Sequence, residues 1–85
     1  MENIKDTQNE RIVAYLKKHG TINPMQALRE LGIMRLASRI SELRLDRKAP
    51  IEKELKTTTN QFGEEVRYAE YRLLDPDWDM NKESA

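Results

Sequence analysis

The chain has 85 residues, no cysteine, and equal numbers of basic and acidic side chains, 15 of each. This length predicts one compact domain of modest stability. The lack of cysteine excludes a disulfide framework and a thiolate metal site, and it gives no sign of an oxidising compartment. Residues 1–6 have neither the basic start nor the apolar stretch of a signal peptide, and no apolar run is long enough to span a membrane. We therefore expect a cytoplasmic protein with no membrane partner.

The net charge of zero, taken alone, argues against a nucleic-acid-binding protein. The charges are unevenly distributed, however. Residues 11–50 carry nine basic and three acidic side chains, whereas residues 1–10 and 75–85 are both acidic overall. A basic block between acidic ends is typical of a DNA-facing surface with a neutralising tail, and a mixed solvated surface is the other interpretation.

Two helices are predicted at the start of the chain. Thr7 and Glu10 have the spacing of a capping box for the first helix, and Gly20 is placed to end it. Asn23 then caps the second helix, and Pro24 occupies its first position. The apolar residues expected to form the buried face of this second helix are Met25, Leu28 and Leu31.

A third helix is predicted from Met34 to Asp46, separated from the second by only Gly32 and Ile33. Three apolar residues recur in it at i, i+4 and i+7, namely Leu36, Ile40 and Leu43. On a helix these residues share one side, which we expect to pack on the core. The pattern therefore predicts a tight helix-turn-helix.

From Pro50 onward the sequence becomes threonine-rich and alternating, which predicts a β-hairpin. Its strands are expected at residues 51–58 and 65–74. Residues 75–85 form an acidic tail without regular structure, so the domain is expected to span residues 1–74. The expected fold class is α+β, with three helices followed by a β-hairpin wing, which is the arrangement of a winged helix-turn-helix domain.

No arrangement of residues indicates catalysis, a metal site or a cofactor site. The single histidine, His19, lies at a predicted helix end, and one histidine cannot form a metal shell alone. The three glycines are isolated turn residues and do not form a phosphate-binding loop. We therefore expect a protein that is not an enzyme and that binds neither a metal nor a cofactor.

The exposed side of the third helix carries residue types that read DNA. An arginine can hold a guanine edge with two hydrogen bonds, and serine or carboxylate side chains can add base or phosphate contacts in the major groove. The candidate DNA-binding residues of this helix are Arg35, Ser38, Arg39, Ser41 and Glu42. The other interpretation is that Arg39 pairs with Glu42 or Asp46 on a solvated helix face.

Weaker candidates lie outside the third helix. Asn23 and the start of the second helix could meet the phosphate backbone. The hairpin offers further polar side chains to phosphates or to a minor groove: Lys53, Lys56, Asn60 and Arg67. The hairpin also carries acidic side chains that oppose this role, so a solvated hairpin is the other interpretation: Glu52, Glu54, Glu64 and Glu65. Phe62 at the turn is either a local packing residue or a wedge on a partner.

The stretch from Ala27 to Arg44 reads A-L-R-E-L-G-I-M-R-L-A-S-R-I-S-E-L-R. It resembles the helix-turn-helix of a family of small phage and prophage winged helix-turn-helix proteins, and the residues from Pro50 to Leu73 resemble the wing of that family. The resemblance implies a winged helix fold and a double-stranded DNA partner, with Arg35 and Arg39 in the recognition helix.

Two functions are compatible with these patterns. One is a sequence-preferring duplex-DNA-binding protein, a phage-type transcriptional regulator or recombination accessory, with a homodimer as one possible state. The other is a protein-interaction module on the same fold, which docks on a host protein or assembles with itself. The acidic tail and Trp78 motivate the second function, because Trp78 is either an anchor for a protein partner or a residue packed on its own domain.

Overall fold

The computed structural model of the chain describes residues 4–78 and residue 80. Three helical segments come first and a β-hairpin follows them, with a two-residue strand after the first helix. The elements are α1 (Ile4–His19), β1 (Thr21–Ile22), α2 (Pro24–Gln26), a π-helical turn (Ala27–Leu31), α3 (Leu36–Asp46), β2 (Ile51–Thr59) and β3 (Glu65–Leu73). The predicted α+β order of helices followed by a hairpin is therefore confirmed.

Helix α1 begins before the capping box that was expected to start it. The residues that precede Thr7 contain no helix breaker, so Thr7 lies inside the helix and not at its cap. The helix ends as predicted before Gly20, whose backbone takes a left-handed φ of 91°. The Tyr15 hydroxyl donates a hydrogen bond of 3.1 Å to the Glu30 carboxylate, which ties α1 to the π-helical turn. Burial, and then this hydrogen bond, raise the pKa of Tyr15 above its ordinary value.

The predicted capping box fixes the start of α2. The Asn23 side chain accepts a hydrogen bond of 2.8 Å from the Gln26 backbone nitrogen, and the Gln26 side chain accepts one of 3.0 Å from the Asn23 nitrogen. After Gln26 the helix widens into the π-helical turn, which changes the side chains that face the core. Ala27 is buried there, whereas Met25 and Leu28 are exposed. The predicted buried face is wrong for those two residues.

The turn between the second and third helices is longer than predicted. Gly32 takes a left-handed φ of 70°, and the Ile33 nitrogen donates a hydrogen bond of 3.0 Å back to the first carbonyl of the π-helical turn. The backbone of Arg35 is not helical, with φ −113° and ψ 57°, so α3 begins only after it. The predicted start at Met34 is therefore wrong. Residues 32–35 form the turn, and Arg35 is the N-cap residue of α3.

The apolar stripe predicted for α3 is confirmed. Leu36, Ile40 and Leu43 are all buried in one hydrophobic core that α1, α3 and the sheet share. The α1 residues in this core include Ile12 and Leu16. Burial of so many apolar side chains from α3 fixes which side of that helix can face a ligand.

The sheet is antiparallel, with strand order β1-β3-β2. The hairpin register pairs Ile51 with Leu73 near the core and Leu55 with Ala69 farther along. Ile51 and Leu73 are buried, but Leu55 is exposed. The outer part of the hairpin therefore projects beyond the helices that cover its base.

Trp78 packs against the hydrophobic core. Its side chain is half-buried, and Met80 also contacts the core, although the described residues after Leu74 form no helix or strand. Of the two interpretations of Trp78, packing on its own domain agrees with this position. Residue 79 and residues 81–85 of the predicted irregular tail lie outside the described residues.

We expect Trp78→Ala to lower the free energy of unfolding by about 1–3 kcal/mol, because a half-buried indole contributes part of the packing of a fully buried one. The measurement is urea unfolding followed by far-UV circular dichroism. Leu74→Ala is the control, since Leu74 is mostly exposed and its truncation is expected to cost less than about 0.5 kcal/mol. Equal stability of the Trp78→Ala variant and the unmodified chain would contradict the packing of the tail.

Candidate nucleic-acid interface

Helix α3 presents to solvent a side opposite its buried stripe, and this side is polar apart from the exposed Leu45 near its end. Ser38, Ser41 and Arg44 are exposed along this side, and Arg35 is exposed at its start. Within the described part of the chain, neither Arg35 nor Arg44 forms a salt bridge. Exposed hydroxyl and guanidinium donors on one side of a helix can reach base edges and phosphates in a major groove.

Arg39 lies at the margin between the buried stripe and the exposed side of α3. Its side chain is 13% exposed, and its guanidinium nitrogen is 3.1 Å from a carboxylate oxygen of Glu42. The Arg39 Nε is buried and has no hydrogen-bond partner among the described residues. These two candidates therefore contact each other at the edge of the core, as the ion-pair interpretation expected.

Alternation along the strands divides the hairpin side chains between two faces. The inner face, which includes the buried Tyr71, packs toward the helices. Its charged residues are Lys53, Arg67 and Glu65. The outer face is turned away from α3, and its charged residues are Glu52, Glu54, Lys56, Glu70 and Arg72. The predicted wing candidates Lys53 and Lys56 thus lie on opposite faces of the same strand.

The charges of the outer face largely neutralise one another. Arg72 pairs with Glu52, and the Lys56 ammonium lies 3.3 Å from Glu54 and 3.8 Å from Glu70. The hydrogen bond to Glu54, and then the charges of both glutamates, raise the pKa of Lys56 above its ordinary value. Lys56 is therefore held among carboxylates on the face away from α3.

A groove of about 460 Å³ lies between α3 and the inner face of the hairpin. Arg44 and Ser41 line it from the helix, and Lys53 and Tyr71 line it from the sheet. Among the described residues, Lys53 has no salt-bridge partner, as is also true of Arg44. Arg44 was not a sequence candidate. Its position three residues after Ser41, on the same side of the helix, is the signal that could have identified it.

Two further candidates have their side chains engaged in local structure. The Asn23 side chain forms the capping box of α2, and Asn60 organises the hairpin turn. The Asn60 carboxamide oxygen accepts hydrogen bonds from the backbone nitrogens of Phe62 and Glu64. Neither asparagine lines the groove between α3 and the hairpin.

In the described ranges, no helix has the length and apolar character needed to cross a membrane. The same residues contain no group of acidic or histidine side chains arranged to hold a metal ion. Residues 7–76 match the family described as the winged helix-turn-helix domain. The chain belongs to this family. No curated protein matches the chain at a significant level.

Membership of the winged helix-turn-helix domain family confirms the predicted fold class and suggests DNA binding. Domains of this family are typically non-enzymatic DNA-binding domains. In such a domain α3 occupies the position of the recognition helix. The hairpin of β2 and β3, residues 51–73, is the wing.

We expect Arg39→Ala to lower the free energy of unfolding by about 1 kcal/mol, because it removes packed methylene groups and leaves Glu42 without this ion pair. Arg35→Ala is the matched control on the same helix. Arg35 is exposed, so its truncation is expected to change stability by less than about 0.5 kcal/mol. Thermal unfolding of both variants is the measurement, and equal losses in the two would contradict the different placement of the two arginines.

Proposed function

We propose that the chain is a sequence-preferring duplex-DNA-binding protein that places the exposed side of α3 in the major groove. The observation that carries this proposal is the groove between α3 and the wing, where Arg44 and Lys53 converge with no acidic partner in the described part of the chain. Cations placed in this way contact phosphates and fix the orientation of a protein on the duplex. Membership of a family that suggests DNA binding supports the same conclusion.

The exposed residues of α3 have different proposed roles along the helix. Arg35, at its start, and Ser38, one turn later, contact base edges, because a recognition helix reads bases chiefly with its N-terminal residues. Ser41 adds a base or phosphate contact on the same side. Arg39 and Glu42 act as a positioning pair that holds the helix on the core, since their charged groups meet each other.

The zero net charge of the chain is compatible with DNA binding because opposite charges are segregated. Most of the wing glutamates lie on the outer face, where Lys56 and Arg72 pair with them. The inner face keeps Lys53 and, nearer the turn, Arg67 for phosphate contacts. Local charge and not net charge sets the potential that a phosphate meets at contact distance.

The finer role proposed is that of a phage-type transcriptional regulator or recombination accessory in the cytoplasm. Its support is the resemblance of the stretch from Ala27 to Arg44 to small phage and prophage proteins. A homodimer would bind paired half-sites about one helical turn apart, so the sites recovered from random duplexes would reveal it by their symmetry.

The second candidate function is a protein-interaction module. An apolar groove of about 430 Å³ favours it, between the start of α2 and the outer face of the wing. Met25, Val66 and Tyr68 line this groove. Trp78 packs on the core instead, so it contributes less to this candidate than its sequence context indicated. If the chain does not bind a DNA duplex at low salt, the interaction module is favoured over the DNA-binding protein.

We expect Lys53→Ala to weaken binding by a similar factor for every DNA sequence and to reduce the slope of log K against log salt by about 1, as for one lost phosphate contact. Lys56→Ala is the matched control, because Lys56 lies on the other face of the same strand and pairs with glutamates. The measurement is fluorescence anisotropy with a random-sequence duplex between about 50 and 200 mM salt. Absent or salt-insensitive binding of the unmodified chain would overturn the proposed function.

We expect Arg35→Ala to weaken binding to a selected duplex by about 1–3 kcal/mol, the value of one good bidentate base contact. Arg35→Lys keeps the charge but loses the planar fork, so it should keep the salt slope and relax the preference at one base pair. Selection from random duplexes at fixed salt, repeated with each variant, is the measurement. An unchanged base preference in both variants would assign base readout to other residues.

A further inference from the structure

The turn at the tip of the wing exposes a large aromatic side chain. Phe62 is 77% exposed, although it lies in a turn whose other residues are polar or glycine. Packing within the turn, one of the two interpretations of Phe62, does not fit this exposure. A ring so placed has most of its apolar surface open to a partner.

Hydrogen bonds from Asn60 hold the backbone that carries Phe62. The Asn60 carboxamide oxygen accepts from the Phe62 nitrogen at 2.9 Å and from the Glu64 nitrogen at 3.0 Å, and its amide group donates to the Glu64 carboxylate. The Gly63 nitrogen donates to the Asn60 carbonyl at 3.0 Å, and Gly63 takes a φ of 79° that favours glycine. The turn is therefore preorganised, so presenting Phe62 to a partner costs little ordering entropy.

The length of the wing matches the distance between neighbouring grooves of DNA. Lys53 lines the groove beside α3, and β2 continues for six residues from there to Thr59. Six residues of strand extend about 20 Å. One turn of B-DNA is about 34 Å long, so adjacent major and minor grooves are about 17 Å apart along the axis. With α3 in the major groove, a wing of this length is long enough to reach the next minor groove.

We propose that Phe62 is an apolar wedge that enters this minor groove and partly unstacks one base step, bending the duplex toward the major groove. The proposal rests on the proposed DNA-binding function and adds a DNA deformation to it. The ring of Phe62 has no hydrogen-bonding atom, so it acts by stacking against bases and not by reading their edges. The inner face of the wing brings Arg67 toward the same DNA, where it contacts the phosphates beside the bend.

The wedge gives specificity at a position that no hydrogen bond reads. Pyrimidine–purine steps such as TA and CA unstack at lower cost than other steps. Selected duplexes are therefore expected to carry such a step about five base pairs from the centre of the α3 site, half of a helical turn away. This preference belongs to Phe62 and should be lost when its ring is removed.

The test uses the full chain and a duplex recovered by selection, with 2-aminopurine at the flexible step and a dye at each end. Unstacking raises the 2-aminopurine fluorescence, and bending shortens the distance between the dyes. We expect Phe62→Ala to abolish both signals and to weaken binding about tenfold, the loss typical of one base–aromatic contact. Phe62→Leu, which keeps an apolar wedge, should retain part of both signals.

Gln61→Ala is the matched control, since Gln61 is an exposed neighbour in the same turn. It should leave the bend unchanged, and the melting temperatures of all three variants should equal that of the unmodified chain. If the Phe62→Ala variant binds and bends DNA as the unmodified chain does, the proposed wedge is overturned. The proposed DNA-binding function is then unaffected. Absence of duplex binding by the unmodified chain would overturn both.

Discussion

Burial of one side of α3 is the constraint on which the rest of the interface depends. Leu36, Ile40 and Leu43 enter the core that α3 shares with α1 and the sheet, so only the opposite side of the helix is open to a ligand. Side chains at the margin of the stripe lose this freedom: Arg39 is close enough to the core that its charge is met by Glu42 and not by solvent. The apolar spacing of α3 therefore decides which of its polar residues are open to a ligand.

Burial of one side also organises the wing, but in a strand the side chains alternate between faces with a period of two residues. Pairing of Lys53 with Tyr71 on the inner face puts Glu52 and Glu54 on the outer face, because neighbouring side chains alternate. Ion pairs largely neutralise the glutamates on the outer face, while Lys53 on the inner face lies across the groove from α3. A chain with no net charge thus has a locally basic surface beside α3. The projection of the hairpin beyond the helices then leaves Phe62 at the end of that surface.

Features that depend on near neighbours in the chain were predictable. The capping box of Asn23, the helix stop at Gly20 and the apolar stripe of α3 each follow from residues within two helical turns of one another. The start of α3 was not predictable in this way. It depends on a hydrogen bond from the Ile33 nitrogen to the π-helical turn and on the burial of that side chain, which hold the next residues out of the helix. Helix propensity alone does not predict the helix start when tertiary contacts compete with helix formation.

The sequence by itself determined the fold class, the hairpin and the side of α3 that packs inward, since periodicity and turn chemistry are local properties. Only the tertiary structure decided which charges meet. Arg44 and Lys53 belong to different elements, and the tertiary packing brings both to one groove. The pair of Arg39 and Glu42 instead lies within α3 at i, i+3, so the sequence already offered it as one of two interpretations, and the structure shows the ion pair. Trp78 likewise packs against a core formed largely by residues that are distant from it in the chain. Packing sets the distances between residues on opposite sides of a core, and the order of residues along the chain does not specify these distances directly.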